Sequence, residues 1–248
     1  MRRSMLFLPG NNPNMLINGA TLGSDAIIFD LEDAVSPAEK DAARILVRNT
    51  LKYMDLGTCE TIVRINSVDT AYWQADIDAI APQKPNLILL PKSACAEDIR
   101  LVDAYLSEKE AALGMEYGTV GLMPLIETAM GVENAFAIAT GAKRVKALFL
   151  GAEDLTADLQ CKRTKEGREI EYARTRLVVA ARAAGVDVYD TPFTDVNDDE
   201  GIWTDTQLAK SMGKGAIALH GKMIDAPIVA RAQRTIDMAK ALGLGREE

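Results

Sequence analysis

The chain has 248 residues, of which 48% are hydrophobic and 5% are aromatic, and its formal net charge is −8. This length suits one domain with one large core, and the acidic balance argues against a general nucleic-acid-binding surface, which needs a basic face. The three cysteines are isolated and form neither a disulfide framework nor a zinc-binding pattern, so we expect a cytoplasmic protein.

The first element is a short apolar run that Pro9 and Gly10 end. It is too short for a signal peptide, and no later run reaches transmembrane length, so we expect no membrane partner. Six more short apolar runs follow without alternation, as in strands buried on both faces of a sheet. The seven predicted strands are Met5–Leu8, Ala26–Asp30, Thr61–Ile65, Leu87–Leu90, Val120–Leu125, Ala147–Leu150 and Val186–Tyr189.

Helical patterns separate the predicted strands. Residues 36–39 form a capping-box motif with Pro37 at the first helical position, which predicts a helix from here to Gly57. Apolar periodicity predicts three more helices that stop at glycines; they are Ala96–Leu113, Glu169–Ala184 and Thr204–Met212. The last stretch is ambiguous: the sequence of Gly215–Leu219 is compatible with an eighth strand, and that of Asp225–Leu242 with a final helix.

A charged residue stands at or just after the end of six predicted strands, at intervals of 27 to 36 residues; these are Asp30, Arg64, Lys92, Glu127, Asp154 and Asp190. The interval is the length of one strand-plus-helix unit. Such a repeat predicts a (β/α)8 TIM barrel, in which the carboxyl ends of the strands meet at one face and hold the active site. We therefore expect a barrel over residues 1–213 and a C-terminal lid segment of strand and helix over residues 214–248.

Glu127 and Asp154 end consecutive strands, so their carboxylates are expected to lie close together. Two adjacent carboxylates repel each other unless a cation or a proton lies between them. Oxygen ligands without a nearby histidine favour Mg²⁺ over zinc, which makes Glu127 and Asp154 candidate magnesium ligands. The alternative is that both are acids at helix starts, beside the N-terminal dipoles.

Arg64 lies at an apolar strand end, where a guanidinium needs an anionic partner. Two kinds of partner are open: a substrate carboxylate, or one of the three acids that follow the preceding strand, Asp30, Glu32 and Asp33.

Lys40 and Arg44 follow on one face of the next helix, at positions i and i+4. They could bind a phosphate of the substrate, or they could form a solvated helix face. His220 is the only histidine, which excludes a mechanism that needs two, and the sequence contains no Ser-His-Asp pattern and no glycine-rich phosphate loop.

Eight segments, in this order and spacing, resemble the citrate lyase β-subunit-like family of the HpcH/HpaI aldolase superfamily. They cover the chain almost end to end and read RRSMLFLPGNNPNM, DAIIFDLEDAVSPAEKDAAR, VRIN, LLPK, PLIETAMGVENA, LGAEDLTADL, ARAAGVDVYDTPFTDVNDDEG and GKMIDAPIVARAQ.

The resemblance implies a (β/α)8 barrel in which Glu127 and Asp154 hold Mg²⁺ and Arg64 binds the carboxylate of the keto-acid half of the substrate. It also implies an acyl-CoA-type thioester and a homotrimer or a hexamer made of two trimers. In lyases of this family an acid from the C-terminal segment reaches into the site of the neighbouring subunit, and Asp225 matches that acid. Without the resemblance, Asp225 is interpreted as a helix N-cap that precedes Pro227.

The chain departs from the family pattern after the seventh helix. Family members continue there with another strand and helix, whereas LAKSMG in this chain runs almost directly into KGAIALHGKMID. We therefore expect the eighth unit to be shortened or missing. Either Gly215–Leu219 takes over as strand eight, or the barrel stays open, or the sequence omits an internal stretch.

These features predict a Mg²⁺-dependent carbon–carbon lyase that cleaves a citryl-, citramalyl- or malyl-CoA type of thioester to acetyl-CoA and a 2-keto acid. Arg64 would hold the keto acid and Asp225 would protonate the enolate carbon. Two alternatives stay open: a β subunit of a citrate lyase complex that acts on citryl-acyl carrier protein, and a weakly active structural subunit. An aldolase that acts on free pyruvate is disfavoured, because such enzymes of the superfamily rely on a histidine early in the chain.

Overall fold

Seven parallel strands form one sheet, in chain order, in the computed structural model, which describes residues 4–193 and 197–214. The strands are β1 (Met5–Pro9), β2 (Ala26–Asp30), β3 (Glu60–Arg64), β4 (Leu87–Leu90), β5 (Gly121–Ile126), β6 (Ala147–Leu150) and β7 (Asp187–Tyr189). All seven predicted strands are confirmed to within one residue at each end. Continuous apolar runs are easily recognised because both faces of such a sheet are covered.

Nine helices lie in the described part of the chain. They are α1 (Pro13–Asn18), α2 (Lys40–Tyr53), α3 (Trp73–Ile80), α4 (Ala96–Ala112), α5 (Ala129–Glu133), α6 (Ala135–Ala139), α7 (Ala152–Asp158), α8 (Glu171–Ala184) and α9 (Asp199–Lys214). Short 3-10 turns at Pro37–Glu39 and Arg168–Ile170 lead into α2 and α8.

Two of the helix predictions are confirmed and two need correction. The predictions for α4 and α8 are confirmed, and the capping residue of α8 is Gly185. The prediction that residues 36–39 form a capping box was wrong. The Ser36 hydroxyl lies 3.3 Å from a side-chain oxygen of Glu39 and accepts no hydrogen bond from a main-chain N–H of α2. In addition, α2 ends at Tyr53, before Gly57, and α9 begins at Asp199, whose acidic first turn favours a helix start.

The sheet has an apolar core on each of its faces. The outer core lies between the strands and the helices, with residues such as Val47, Ile77 and Leu177. The inner core contains Phe149 of β6, and its ring stacks on Phe7 of β1 with 6.1 Å between the ring centroids, although four strands lie between β1 and β6 in the sheet. The sheet is therefore curled, and side chains from its distant strands meet inside.

The curled sheet supplies seven strands of the predicted eight-stranded barrel. The candidates for the eighth unit, Gly215–Leu219 and Asp225–Leu242, lie outside the described residues, as does His220. The observed fold is therefore an α/β fold with a curled, parallel, seven-stranded sheet, and barrel closure stays a prediction.

The chain divides into two compact units, residues 1–192 and 193–248, and α9 belongs to the second. The predicted boundary after residue 213 stays a prediction. None of the helices that the structure describes is both long and apolar enough to cross a bilayer.

Candidate functional site

Asp30 and Arg64 lie side by side at the carboxyl ends of β2 and β3, because the parallel register pairs these two residues. Side chains alternate along a strand, so Asp30 and Arg64 point to the same side as Ile28 and Ile62, which belong to the inner core. The Arg64 guanidinium binds the Asp30 carboxylate in a bidentate manner, at 2.7 Å from Nε to Oδ1 and 2.6 Å from Nη2 to Oδ2. Strand register thus builds the first part of the site.

Arg64 therefore has an internal partner, and the prediction that one of the nearby acids fills this role is confirmed. Its Nη1 lies a further 3.0 Å from Oε2 of Glu32, and its guanidinium carbon lies 5.2 Å from the centre of the Phe7 ring. Burial would lower the pKa of Arg64, but its hydrogen bonds to Asp30 outweigh that effect and keep it cationic. Each terminal nitrogen carries a second N–H, so binding of a substrate carboxylate stays a prediction.

Glu32 is a buried acid between two cations. Its Oε2 lies 3.0 Å from Nη1 of Arg64 and its Oε1 lies 3.0 Å from Nζ of Lys92. Neither oxygen has hydrogen-bond geometry with a described residue. Burial raises the pKa of Glu32 above 4.5, and the charges of Arg64 and Lys92 offset only part of this rise. Glu32 thereby connects the ends of β2, β3 and β4.

Glu127 directly follows β5 and is in phase with Leu125 of the inner core. Its Oε1 accepts a hydrogen bond from the Lys92 main-chain N–H at 2.6 Å, and no described residue donates to its Oε2. Burial, followed by the negative charges of Glu32 and Asp154, raises the pKa of the Glu127 carboxyl to about 8, in spite of that hydrogen bond. These effects disfavour the ionised form of Glu127, so a cation bound next to its carboxylate would stabilise that form.

Asp154 lies half-buried in the first turn of α7, where no described residue donates a hydrogen bond to it. The register pairs Ile126 with Leu150, so the next residues, Glu127 and Gly151, are neighbours. A Cβ at Gly151 would come within 2.7 Å of Glu127 Oε2, so the absence of a side chain leaves room for this carboxylate. Asp154 has the helix-start position that the alternative interpretation predicted, and it also lies close enough to repel the Glu127 charge.

Glu127 and Asp154 fit a magnesium ion by the chemistry of their oxygen atoms. Both have carboxylate oxygens to which no described residue donates a hydrogen bond. Mg²⁺ is typically held by one or two carboxylates together with waters and substrate oxygens. Within the described residues, no group of three or more His, Cys, Asp or Glu side chains surrounds a common point. The protein would thus supply two ligands, and their role as metal ligands stays a prediction.

The predicted phosphate site at Lys40 and Arg44 is corrected by the structure, since both cations are used inside the protein. Lys40 is 8% exposed, and its Nζ donates to the main-chain oxygens of Leu31 and Glu32, each at 2.7 Å. Arg44 donates from Nε to the buried Asp76 at 2.9 Å. Lys40 therefore holds the loop after β2, and neither residue forms a solvated face.

Sequence analysis assigned no function to Lys92 and left the function of Glu32 undecided. Lys92 is a member of the repeat of charged strand ends, and this membership was the signal that could have identified it as a site residue. Glu32 was one of three equivalent acids. The remaining member of the repeat, Asp190, lies 3.0 Å from Nε of Arg174 in α8. The predicted catalytic residue Asp225 lies outside the described residues.

A wide concavity of about 1180 Å³ lies at the opposite end of the sheet, beside the amino ends of β2 and β3. Its lining includes Ser24, Cys59 and Asn86. Ligand sites of parallel α/β sheets lie at the carboxyl ends of the strands. The candidate functional site is therefore the charged cluster, which consists of Asp30, Glu32, Asp33, Arg64, Lys92, Glu127 and Asp154.

Comparison with known proteins shows the family of the chain. Residues 3–219 match the family model described as HpcH/HpaI aldolase/citrate lyase. The citrate lyase subunit beta of Leuconostoc mesenteroides subsp. cremoris is 38% identical over 284 aligned positions, which cover 97% of this chain and 94% of the relative. Since this chain has 248 residues, at least 36 positions of that alignment have no counterpart in it, which is about the length of one strand-plus-helix unit.

Two solved structures are similar in both sequence and fold. The citrate lyase beta subunit of Mycobacterium tuberculosis, complexed with oxaloacetate and magnesium, is 31% identical with a TM-score of 0.68, over 84% of this chain and 86% of that one. The protein CitE of the same organism, in complex with magnesium, acetoacetate and coenzyme A, is 27% identical with a TM-score of 0.72, over 95% and 97% of the two chains.

Proposed function

Because the chain belongs to the HpcH/HpaI aldolase/citrate lyase family, we propose that it is a Mg²⁺-dependent lyase that cleaves a carbon–carbon bond of a 3-hydroxyacyl-CoA thioester. The substrate is of the citryl-, citramalyl- or malyl-CoA type, and the products are acetyl-CoA and a 2-keto acid. One observation carries the proposal: Arg64, Glu127 and Asp154 come together at the carboxyl ends of β3, β5 and β6. The magnesium, keto-acid and coenzyme A complexes of the solved relatives support it.

Glu127 and Asp154 would hold the magnesium ion through the oxygens that accept no hydrogen bond from residues 4–193 and 197–214. When bound, the ion lowers the pKa of the substrate hydroxyl and offsets the negative charge that develops on that oxygen. The Lys92 main-chain N–H keeps one Glu127 oxygen in place, so the carboxylate is oriented before a ligand arrives.

Arg64 would bind the substrate carboxylate through the N–H groups that Asp30 and Glu32 leave over. The bidentate contact to Asp30 and the Phe7 ring hold the guanidinium in one orientation, so little order is lost when the carboxylate binds. The hydroxyl proton passes to solvent, and the oxygen then forms a double bond to the carbinol carbon. At the same time the bond from that carbon to the α-carbon of the thioester breaks, and its electron pair passes to the thioester as an enolate. The charge of Arg64 stabilises the keto acid as it leaves.

The enolate carbon has to accept a proton to become the acetyl thioester. We assign this step to Asp225, which matches the acid of the family motif in GKMIDAP. Because that acid comes from a neighbouring subunit in lyases of the family, a homotrimer or a hexamer is part of the proposal. Asp225 is the residue that would connect the C-terminal segment, 214–248, to catalysis.

A second candidate is a β subunit that acts on citryl-acyl carrier protein within a citrate lyase complex. The 38% identity to a citrate lyase subunit beta, over nearly the full length of both chains, favours it. The bond that breaks is the same in both candidates, and only the carrier of the thioester differs.

A coupled assay with purified protein tests the proposal. Citryl-, citramalyl- and malyl-CoA are supplied with Mg²⁺ or with EDTA, and acetyl-CoA and keto acid are measured separately. Release of both products that EDTA abolishes is the expected result, and the active thioester identifies the substrate. If a folded protein releases nothing from any CoA thioester but cleaves citryl-acyl carrier protein, the second candidate is correct. Magnesium binding without any turnover would instead indicate a structural subunit.

A further inference from the structure

Lys92 has an unusual backbone at the centre of the charged cluster. Its φ is +50°, in the left-handed region that side chains other than glycine rarely adopt. This backbone directs its N–H to Glu127 Oε1, at 2.6 Å. A conformation that costs free energy persists only where the surroundings enforce it, and it is common at ligand sites. In Lys92 this conformation lets the main chain hold one oxygen of Glu127, the proposed magnesium ligand.

The side chain of Lys92 remains accessible, in contrast to that of Arg64. The Lys92 side chain is 41% exposed, and its Nζ lies 3.0 Å from Oε1 of Glu32 and 3.9 Å from Asp33. Glu32 is only 4% exposed. It therefore contacts the Lys92 ammonium from the protein interior, and the rest of the ammonium faces solvent. An ammonium has three N–H groups, and these two acids do not use all of them.

Arg64 by itself is less able than Lys92 to attract an anionic ligand, because acids of the protein already offset its charge. All three of its nitrogens lie within 3.0 Å of carboxylate oxygens of Asp30 and Glu32, and its side chain is 13% exposed. Lys40, the other nearby cation, is held by main-chain oxygens. A substrate that carries a carboxylate would also meet the acids of the cluster, and an accessible cation fixed beside them would offset this repulsion together with the proposed Mg²⁺.

We propose that Lys92 is a second substrate-contacting residue, whose ammonium binds the carboxylate or the enolate oxygen of the ligand opposite Arg64. Glu32 is then a positioning residue, since its two oxygens hold Arg64 and Lys92 at a fixed separation. The inference rests on the proposed lyase function and extends it, because it assigns a second cation to an anionic ligand. Charge-assisted hydrogen bonds of this kind are stronger than neutral ones.

The test compares the wild type with Lys92→Asn, because asparagine tolerates a left-handed backbone and removes the charge. Isothermal titration calorimetry measures the Kd of pyruvate and of oxaloacetate in saturating Mg²⁺, and separately the Kd of Mg²⁺ without keto acid. Lys84→Asn is the matched control, since Lys84 has a φ of +54°, is exposed, and lies before β4 at the opposite end of the strand from Lys92.

The substitution is expected to weaken keto-acid binding without weakening Mg²⁺ binding. The keto-acid Kd should rise at least about tenfold in Lys92→Asn, and Lys92→Arg should recover part of the loss. The Mg²⁺ Kd should stay the same or fall, because a positive charge near Glu127 has been removed. Lys84→Asn should change neither value.

Three results would overturn the inference. An unchanged keto-acid Kd in Lys92→Asn would show that the ammonium does not touch the ligand. Parallel weakening of Mg²⁺ and keto acid would show that Lys92 acts only by holding Glu127. If the wild type cleaves a thioester, both of these results leave the proposed function intact. The third result is a wild type that binds no keto acid and cleaves no thioester, which would overturn the proposed function and the inference together.

Discussion

Replacement of Glu127 by glutamine is expected to stabilise the metal-free protein at alkaline pH and to abolish its response to Mg²⁺. Glutamine keeps the shape of the side chain and an oxygen that can accept the Lys92 N–H. It removes the charge that burial and the neighbouring acids disfavour. The same substitution removes a ligand that the proposed magnesium site needs.

The size of the effect follows from the pKa of Glu127. A carboxyl whose pKa is about 8 in the folded protein, against an ordinary value of 4.5, binds its proton more tightly when folded. Its contribution to stability is therefore complete below pH 4.5 and is lost as the pH rises through 8. The whole loss is about 5 kcal/mol as an upper limit, at about 1.4 kcal/mol per pH unit. Most of it falls between pH 5 and pH 8.

Urea unfolding in EDTA at pH 5.5, 7.0 and 8.5 measures this difference, with Asp33→Asn as the control, because Asp33 is an exposed acid of the same loop. The free energy of unfolding of the wild type should fall with pH by several kcal/mol relative to that of Glu127→Gln. Added Mg²⁺ should raise the free energy of unfolding of the wild type, most strongly at pH 8.5, where it does not compete with a proton for Glu127. It should not change the free energy of unfolding of Glu127→Gln. Parallel pH curves for the two proteins would refute the assignment of this electrostatic strain to Glu127, and an equal Mg²⁺ response would refute its role as a ligand.

Three further substitutions test other parts of the structure. Gly151→Ala should weaken Mg²⁺ binding by at least about tenfold, since its Cβ would lie 2.7 Å from Glu127 Oε2; an unchanged Kd in calorimetry would contradict this close approach. Arg144→Met should cost about 3–5 kcal/mol in urea unfolding, because the fully buried Arg144 binds both oxygens of Glu110, which is 1% exposed; a loss below about 1 kcal/mol would show that the pair does not hold α4 to the sheet. Asp225→Asn should reduce turnover at least about a hundredfold and leave the Kd of Mg²⁺ unchanged, and full activity of this variant in the coupled assay would exclude it as the proton donor.

The positions of the strands and the place of the site could be predicted from the sequence. Apolar runs such as Ala26–Asp30 and Ala147–Leu150 identify buried parallel strands because the pattern is local and both faces are covered. The regular interval between charged strand ends also placed Arg64, Glu127 and Asp154 at one edge, since parallel strands bring their carboxyl ends together. The helix boundaries were harder to predict, because a capping motif such as the one at residues 36–39 is only one of several ways to begin a helix.

The partner of each charge was decided by tertiary structure. Lys40 and Arg44 have a spacing that suits a phosphate-binding helix face as well as an internal contact, and only the packing of α2 against the loop after β2 and against α3 selects the second. Lys92 is one charged strand end among six in the sequence, and it becomes the neighbour of both Glu32 and Glu127 through strand order and a left-handed turn. Sequence periodicity determines which residues reach an edge of the sheet. Strand register and side-chain packing determine which of them meet, because electrostatic contacts depend on distances of a few Å between residues far apart in the chain.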